Sequence, residues 1–255
     1  MLFDSHMHTK FSADSEMSAI AAIEKAKKLN IGIVFTEHFD YNLPGDIDFT
    51  FVPEDYFNEY KTLRNEKIRL GVEIGMEEIA REPAKNFLKR VPFDMVIGSI
   101  HLVDRLDIYY PEYYEGKDKL TAYKKYFAAM IEESQIGDFD VLGHMDYICR
   151  AAPYDDPEID YSTFKNQIDE VLKILIEREK ILELNTRRLN SRRGLKELVP
   201  IFAQYKKFGG KYITIGSDAH KVEAVGNYFD IAKDFADELN LKVVTFCKRQ
   251  LEICE

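Results

Sequence analysis

Leu2-Phe3-Asp4-Ser5-His6-Met7-His8-Thr9 opens the chain as a short apolar run ending in two histidines one residue apart. Side chains on a strand alternate between faces, so residues i and i+2 point to the same side. His6 and His8 can therefore reach one metal ion. An H-x-H pair alone is a weak signal, and two surface histidines are its commoner explanation. The rest of the chain changes that weighing. Six histidines are present, and the other four also stand at or just past the end of an apolar segment, beside small or acidic residues. They lie in Thr36-Glu37-His38, Gly98-Ser99-Ile100-His101, Gly143-His144-Met145-Asp146 and Ser217-Asp218-Ala219-His220. None is left for a helix or an outer surface.

Working outward, residues 31–36, 68–74, 93–100, 139–142, 181–184, 212–215 and 243–246 read as further strands, several of them apolar enough to be buried on both faces. Amphipathic stretches at 19–29, 53–65, 77–89, 120–133, 161–178, 195–207 and 227–239 read as helices between them. A strand followed by a helix recurs about seven times, and each candidate ligand falls at the carboxyl end of its strand. That is where α/β barrels place their chemistry. No repeat, linker or composition shift divides the chain, so residues 1–255 are expected to form one domain.

Composition narrows the function classes. The chain is 45% hydrophobic and 31% charged, with a formal charge of −10, which argues against a nucleic-acid partner and leaves room for a small anion at a local positive site. No apolar run reaches the length of a membrane span. The amino terminus enters a strand at once, so neither a signal peptide nor a membrane partner is expected. Cys149, Cys247 and Cys254 lack paired spacing and read as reduced thiols, pointing to a cytoplasmic protein.

The strand ends collect His6, His8, Asp14, His38, Glu73, His101, His144, Asp218 and His220. Six imidazoles and three carboxylates exceed what one zinc ion takes, about four ligands. They suit two or three divalent ions bridged by a carboxylate, with Zn, Mn and Fe all compatible. Three such ions, three carboxylates and one hydroxide leave a charge of about +2, which matches a phosphate monoester dianion. Metals also acidify bound water, so phosphoester hydrolysis is the reaction this set favours.

Arg150 lies past the His144 strand, and Arg187, Arg188, Arg192 and Arg193 follow Asn185. Guanidinium groups grip phosphate oxygens bidentately, and Arg150 is expected to do so from the strand-end face. Most of the four-arginine run, Arg188 included, reads as a solvated loop with one or two members facing the pocket. Ser15 can donate to phosphate or cap a helix with equal ease. Cys149 reads as a packing residue. The aromatic, acidic segment 102–117 reads as a lid or substrate wall.

With these motifs in place, His6-x-His8, Glu37-His38, Glu73, His101, His144 and Asp218-x-His220, the chain resembles the PHP (polymerase and histidinol phosphatase) superfamily of metal-dependent phosphoesterases. The resemblance implies a distorted (β/α)7 barrel, TIM-like, with three metal ions at the carboxyl ends of the strands. It implies His6, His8, Glu73 and Asp218 on the first ion, Glu73, His101 and His144 on the second, and Asp14, His38 and His220 on the third. Glu37 is expected behind the ligands, orienting an imidazole.

Phe11-Ser12-Ala13-Asp14-Ser15, Gly98-Ser99-Ile100-His101, Tyr113-Tyr114-Glu115-Gly116-Lys117, Gly143-His144-Met145-Asp146, Arg150 and Asn185-Thr186 look like the histidinol-phosphate phosphatases of that superfamily. That likeness implies hydrolysis of L-histidinol phosphate by a metal-bridging hydroxide, with Asp14, His220 and Arg150 as catalytic residues. It implies Ser15, Arg150 and Arg187 on the phosphate, with Arg192 as the competing second arginine. A phosphatase or exonuclease of the same fold acting on a nucleotide or sugar phosphate is the alternative. Against it stand the net charge and the acidic, tyrosine-rich segment, which favour a small substrate carrying an ammonium group. A non-catalytic module within a polymerase assembly would show a degraded ligand set, and this set is complete.

Overall fold

In the computed structural model of the protein, residues 1–190 and 192–254 are described, with the side chains of all of these except Arg192 and Arg193. The order of the main elements is β1 (Phe3–Asp4), α1 (Ala19–Leu29), β2 (Gly32–Phe39), α2 (Pro53–Tyr60), β3 (Ile68–Gly75), α3 (Arg81–Leu88), β4 (Val96–Ser99) and α4 (Lys119–Ile136). It continues with β5 (Val141–Leu142), α5 (Lys165–Glu177), β6 (Ile181–Asn185), α6 (Arg192–Lys207), β7 (Tyr212–Gly216), α7 (Phe229–Glu238), β8 (Lys242–Cys247) and β9 (Gln250–Ile253). Strand and helix alternate from β1 to β8. Between β4 and α4 lie a small hairpin and a single 3-10 turn, Pro111–Tyr114.

The strands pair in sequence order, β1 to β8 parallel and β9 antiparallel against β8. β1 also meets β7. Ser5 N donates to Ile215 O, Asp218 N to His6 O and His8 N to Ala219 O, and Met7 bridges Ala219. The seam is short because β8 occupies the amino-terminal half of β7, pairing at Tyr212 and Ile213. The expected distorted barrel is therefore seven parallel strands curled until the first touches the seventh over a few residues.

Alternation along the strands sorts the interior into two layers. Ile33, Phe35, Leu70, Val72, Leu142, Leu182, Leu184, Ile213 and Ile215 face outward and pack with residues such as Ala22, Phe87, Met130, Leu172, Phe202 and Phe235. Facing inward, Phe3, Val34, Met95, Ile97, Val141, Ile181, Val244 and Phe246 fill the lower barrel as a second apolar cluster. One step further along the inward positions come Glu73, Ser99 and Glu183, all buried. The apolar floor thus ends where the polar layer begins.

Two expected helix boundaries shift for clear local reasons, and one strand is additional. α2 ends at Tyr60 instead of 65, because the Asn65 side chain accepts from Lys67 N at 2.8 Å and makes a turn that competes with helix. α5 begins at Lys165 instead of 161, because Asp160 accepts from the backbone N–H groups of Ser162 and Thr163. β9 was not expected; it returns through a two-residue turn in which Lys248 and Arg249 take φ of 51° and 60°.

The lower cluster supports everything above it. Ile97 is 1% exposed within it. Ile97→Ala should destabilise the protein by about 2–5 kcal/mol, read as a lower urea midpoint at unchanged m-value. A change below about 1 kcal/mol would mean that the lower barrel is not close-packed.

Candidate active site

The nine expected ligands converge at the carboxyl ends of the strands, around one carboxylate. Glu73, inward on β3 and fully buried, has Oε2 at 3.2 Å from His6 Nε2, 3.4 Å from His8 Nε2 and 3.0 Å from His38 Nδ1. Its Oε1 lies 2.8 Å from His144 Nε2 and 3.3 Å from His101 Nε2. Asp218 Oδ1 approaches His8 Nε2 at 3.4 Å and His6 Nε2 at 3.9 Å. Asp14 Oδ2 stands 3.0 Å from His220 Nε2 and 3.7 Å from His38 Nε2. Asp218 holds φ of 53°, a left-handed conformation that non-glycine residues adopt rarely and that concentrates at functional sites.

The alternation of β2 explains the fate of Glu37. His38 faces the barrel interior, so Glu37 faces the other way. Its carboxylate accepts from Thr9 N, from Thr9 Oγ1 at 2.6 Å and from Ser12 Oγ at 2.7 Å. Ser12 Oγ in turn sits 3.0 Å from His8 Nδ1. Glu37 reaches the His8 imidazole through that hydroxyl.

Two carboxylates that carried no sequence signal complete the site. Asp40 Oδ1 lies 2.7 Å from His101 Nδ1 and its Oδ2 lies 3.5 Å from His38 Nδ1. Glu183, inward on β6, holds His6 Nδ1 at 2.7 Å with Oε1 and accepts from His144 N at 2.7 Å with Oε2. Orientation of a ligating imidazole by a carboxylate on its far nitrogen is the usual support for a metal ligand. Gly216, beside them on β7, has no alternative, because a methyl group there would overlap the Glu183 carboxylate and His6 Cβ.

The donor set calls for positive charge. Burial opposes ionisation of Glu73, but His6, His101 and His38 outweigh it and hold the carboxyl well below its usual range. Burial likewise opposes protonation of His6, yet Glu183, Glu73 and Asp218 push its pKa well above normal. His38 is raised to about 10 against burial by Glu73 and Asp14. Meanwhile His6 Nε2, His8 Nε2, His38 Nδ1 and Glu73 Oε2 are buried atoms without a hydrogen-bond partner. Such orphans are costly unless a cation takes their lone pairs. Among the described residues, His6-His8-Glu73, Glu73-His101-His144 and His8-His38-His220 each bring three donor atoms within coordinating range of one another. The residues present fit divalent metal ions.

The site opens into a cleft of about 280 Å³. Arg150 and Arg187 line it together with Asp107, Tyr109, Tyr110 and Tyr147. Arg150 Nη1 pairs with Asp218 Oδ2 at 2.6 Å, its guanidinium lies 4.8 Å from the Tyr147 ring centroid, and its buried Nε has no partner. Arg187, half exposed, reaches Asp218 Oδ2 at 3.5 Å. The side chain of Arg192 lies outside the described residues. Ser15 does not line the cleft; its hydroxyl lies 3.0 Å from His8 O and 3.2 Å from His220 O, tying those two loops together. Arg188 is not solvated as expected, but pairs with Asp146 at 2.9 Å and Glu158 at 2.5 Å. Cys149 is buried packing, as expected. In segment 102–117, Tyr113 and Tyr114 anchor inward while Tyr109 and Tyr110 remain exposed along the cleft, as a wall. A second cavity of about 270 Å³ lies against α3 and the end of α4 and contains no imidazole.

Comparison with known proteins gives the same picture. The chain is 43% identical over 253 residues to a probable histidinol-phosphatase of Clostridium acetobutylicum, across 99% of both chains. It is 34% identical over 225 residues to the histidinol-phosphatase of Lactococcus lactis, covering 85% of this chain and 83% of that one. A crystal structure of histidinol phosphate phosphatase from Lactococcus lactis, complexed with zinc, L-histidinol and phosphate, superposes with a TM-score of 0.92 at 30% identity over 98% of both chains. A chain of an archaeal ribonuclease P, at 15% identity and a TM-score of 0.53, shares the fold alone. The PHP domain profile matches residues 4–187. The imidazoles gathered on Glu73 thus stand in a barrel whose sequence and shape are shared with the Lactococcus lactis histidinol-phosphatase, and the chain belongs to the PHP domain family.

Proposed function

We propose that the protein is a metal-dependent phosphomonoesterase whose substrate is L-histidinol phosphate. The observation that carries this reading is the pairing, in one cleft, of a cation-demanding cluster on Glu73 with the buried, partly unpartnered guanidinium of Arg150. The Clostridium acetobutylicum and Lactococcus lactis relatives, named probable histidinol-phosphatase and histidinol-phosphatase, match the chain over most of its length, and the Lactococcus lactis structure holds zinc, L-histidinol and phosphate together.

His6, His8, Glu73 and Asp218 would hold one ion, Glu73, His101 and His144 a second, and Asp14, His38 and His220 a third. Bound divalent ions supply acidified water and neutralise phosphate oxygens. Around them the chain's own groups divide the work. Glu73 supplies negative charge to two neighbouring donor sets, and Glu183 and Asp40 fix the tautomers of His6 and His101. Asp14 and His220, in contact with each other, would border the reacting phosphate as part of the third ion's donor set. Arg150 and Arg187 grip phosphate oxygens, and Arg150 contributes most as charge builds on the transferring group. Ser15 supports the grip by joining the His8 and His220 loops.

The acidic and aromatic part of the lining selects the alcohol. Asp107 and the Tyr109, Tyr110 and Tyr147 rings face the cleft. An ammonium or imidazolium group meets a carboxylate and aromatic faces there, whereas a second phosphate would meet repulsion. No helix among the described residues is long and apolar enough to cross a membrane, and the three free thiols suit the reducing cytoplasm.

Phosphate release assayed across L-histidinol phosphate, nucleoside monophosphates and sugar phosphates should give the highest kcat/KM on L-histidinol phosphate. Preference for a nucleotide or a sugar phosphate would refute the substrate assignment. The bridging role of Glu73 makes a separate prediction. Glu73→Gln should cost at least one zinc per chain by elemental analysis and should lower activity more than Glu37→Gln, whose effect through Ser12 should be about 10–100-fold. Equal losses, or the reverse order, would contradict the bridge.

A further inference from the structure

Asn185 closes a ring of side-chain contacts that joins the metal ligands to the phosphate grip. It stands at the carboxyl end of β6, two residues after Glu183, so both side chains face the barrel interior. Its Nδ2 donates to Glu183 Oε2 at 3.2 Å, while its Oδ1 accepts from Arg150 Nη2 at 3.2 Å and from Arg187 N at 3.1 Å. Glu183 holds His6 Nδ1, Arg150 holds Asp218, and Asp218 returns to His6 and His8. The ring therefore runs His6, Glu183, Asn185, Arg150, Asp218 and back to His6.

The chemistry at this position is restrictive. One neighbour is a carboxylate, which needs a donor, and the other is a guanidinium, which needs an acceptor. A carboxamide is the side chain that offers both in a fixed plane. An aspartate would set charge against Glu183, and a leucine would satisfy neither neighbour. Asn185 is 4% exposed, so water does not readily replace what it provides.

We infer that Asn185 is a positioning residue that fixes the reach of Arg150 toward phosphate and couples that reach to the orientation of His6 through Glu183. Without it, both guanidinium nitrogens facing this side can turn onto Asp218, which drags the arginine away from the phosphate and competes with the ion for the carboxylate. Asn185 touches neither the reacting atoms nor the ions. Its influence on phosphate passes through Arg150, and its influence on metal passes through Glu183.

The inference rests on Arg150 as a phosphate ligand, and a double-mutant cycle on the zinc-saturated full chain separates the two ideas. The measured quantity is the inhibition constant of inorganic phosphate, with zinc affinity read in parallel by competition with a chelator. Asn185→Leu should raise the phosphate inhibition constant about tenfold, the scale of one charge-assisted hydrogen bond, and should weaken zinc binding. In an Arg150→Met background, itself weak in phosphate binding, Asn185→Leu should add nothing further to the phosphate constant while still weakening zinc. Glu183→Gln should weaken zinc by about 10–100-fold. If Asn185→Leu does not fold, Asn185→Ala, which leaves space for a water, takes its place in the cycle with the same expected non-additivity. An unchanged phosphate constant in the single variant, or an equal further loss on top of Arg150→Met, overturns the positioning role. Arg150→Met with parental phosphate inhibition instead overturns the phosphate reading on which it rests.

Discussion

A carboxylate buried among imidazoles is the constraint on which this structure depends. Glu73 has no exposed surface, lies in the polar layer of a barrel, and has five histidines within 3.4 Å of its two oxygens. An ionised carboxyl in such a place is prohibitive unless positive charge meets it. Either the imidazoles hold protons or cations take their place. The same arrangement that makes the site expensive to bury makes it a strong receptor for divalent ions, and ions held there make it a receptor for phosphate.

The fold supplies this arrangement through alternation and seams. Inward residues of β2, β4 and β6 are apolar low in the barrel and polar one step higher, and β3 delivers Glu73 to the level of Ser99 and Glu183. The His6 and Asp218 backbones meet where β1 touches β7, which places ligands from opposite ends of the chain side by side. Gly216 leaves the volume that Glu183 and His6 share. Beyond the ligands, Asp40, Glu183 and Asn185 turn a set of donors into a set of oriented donors, and Arg150 extends that order into the cleft.

Much of this was legible in the sequence, and what was hidden has a physical cause. The histidines could be read because each follows an apolar run, and a period of two places His6 and His8 on one side. Glu37 was legible as a non-ligand, but its target was not; the path through Ser12 depends on a loop folding back over β2. Asp40 and Glu183 carry no spacing signal, since a carboxylate two residues from His38 or Asn185 looks like any other strand-end acid. Glu183 in particular is marked only by the inward register of β6, which pairing sets. Arg188 resembled its solvated neighbours and proved to be paired, because its partners Asp146 and Glu158 come from distant loops. β9 escaped because its turn uses Lys248-Arg249, where the familiar tight-turn signal is Asn-Gly or Asp-Gly.

The most direct test of a Glu73-centred cluster is an anomalous-scattering map at the zinc edge, from crystals of the protein grown with zinc and inorganic phosphate. The account predicts anomalous peaks on both sides of the Glu73 carboxylate at about 2.0–2.2 Å, with phosphate density between those peaks and Arg150. Zinc peaks confined to other residues, or a Glu73 carboxylate contacting only protein donors in the zinc-loaded crystal, would contradict it.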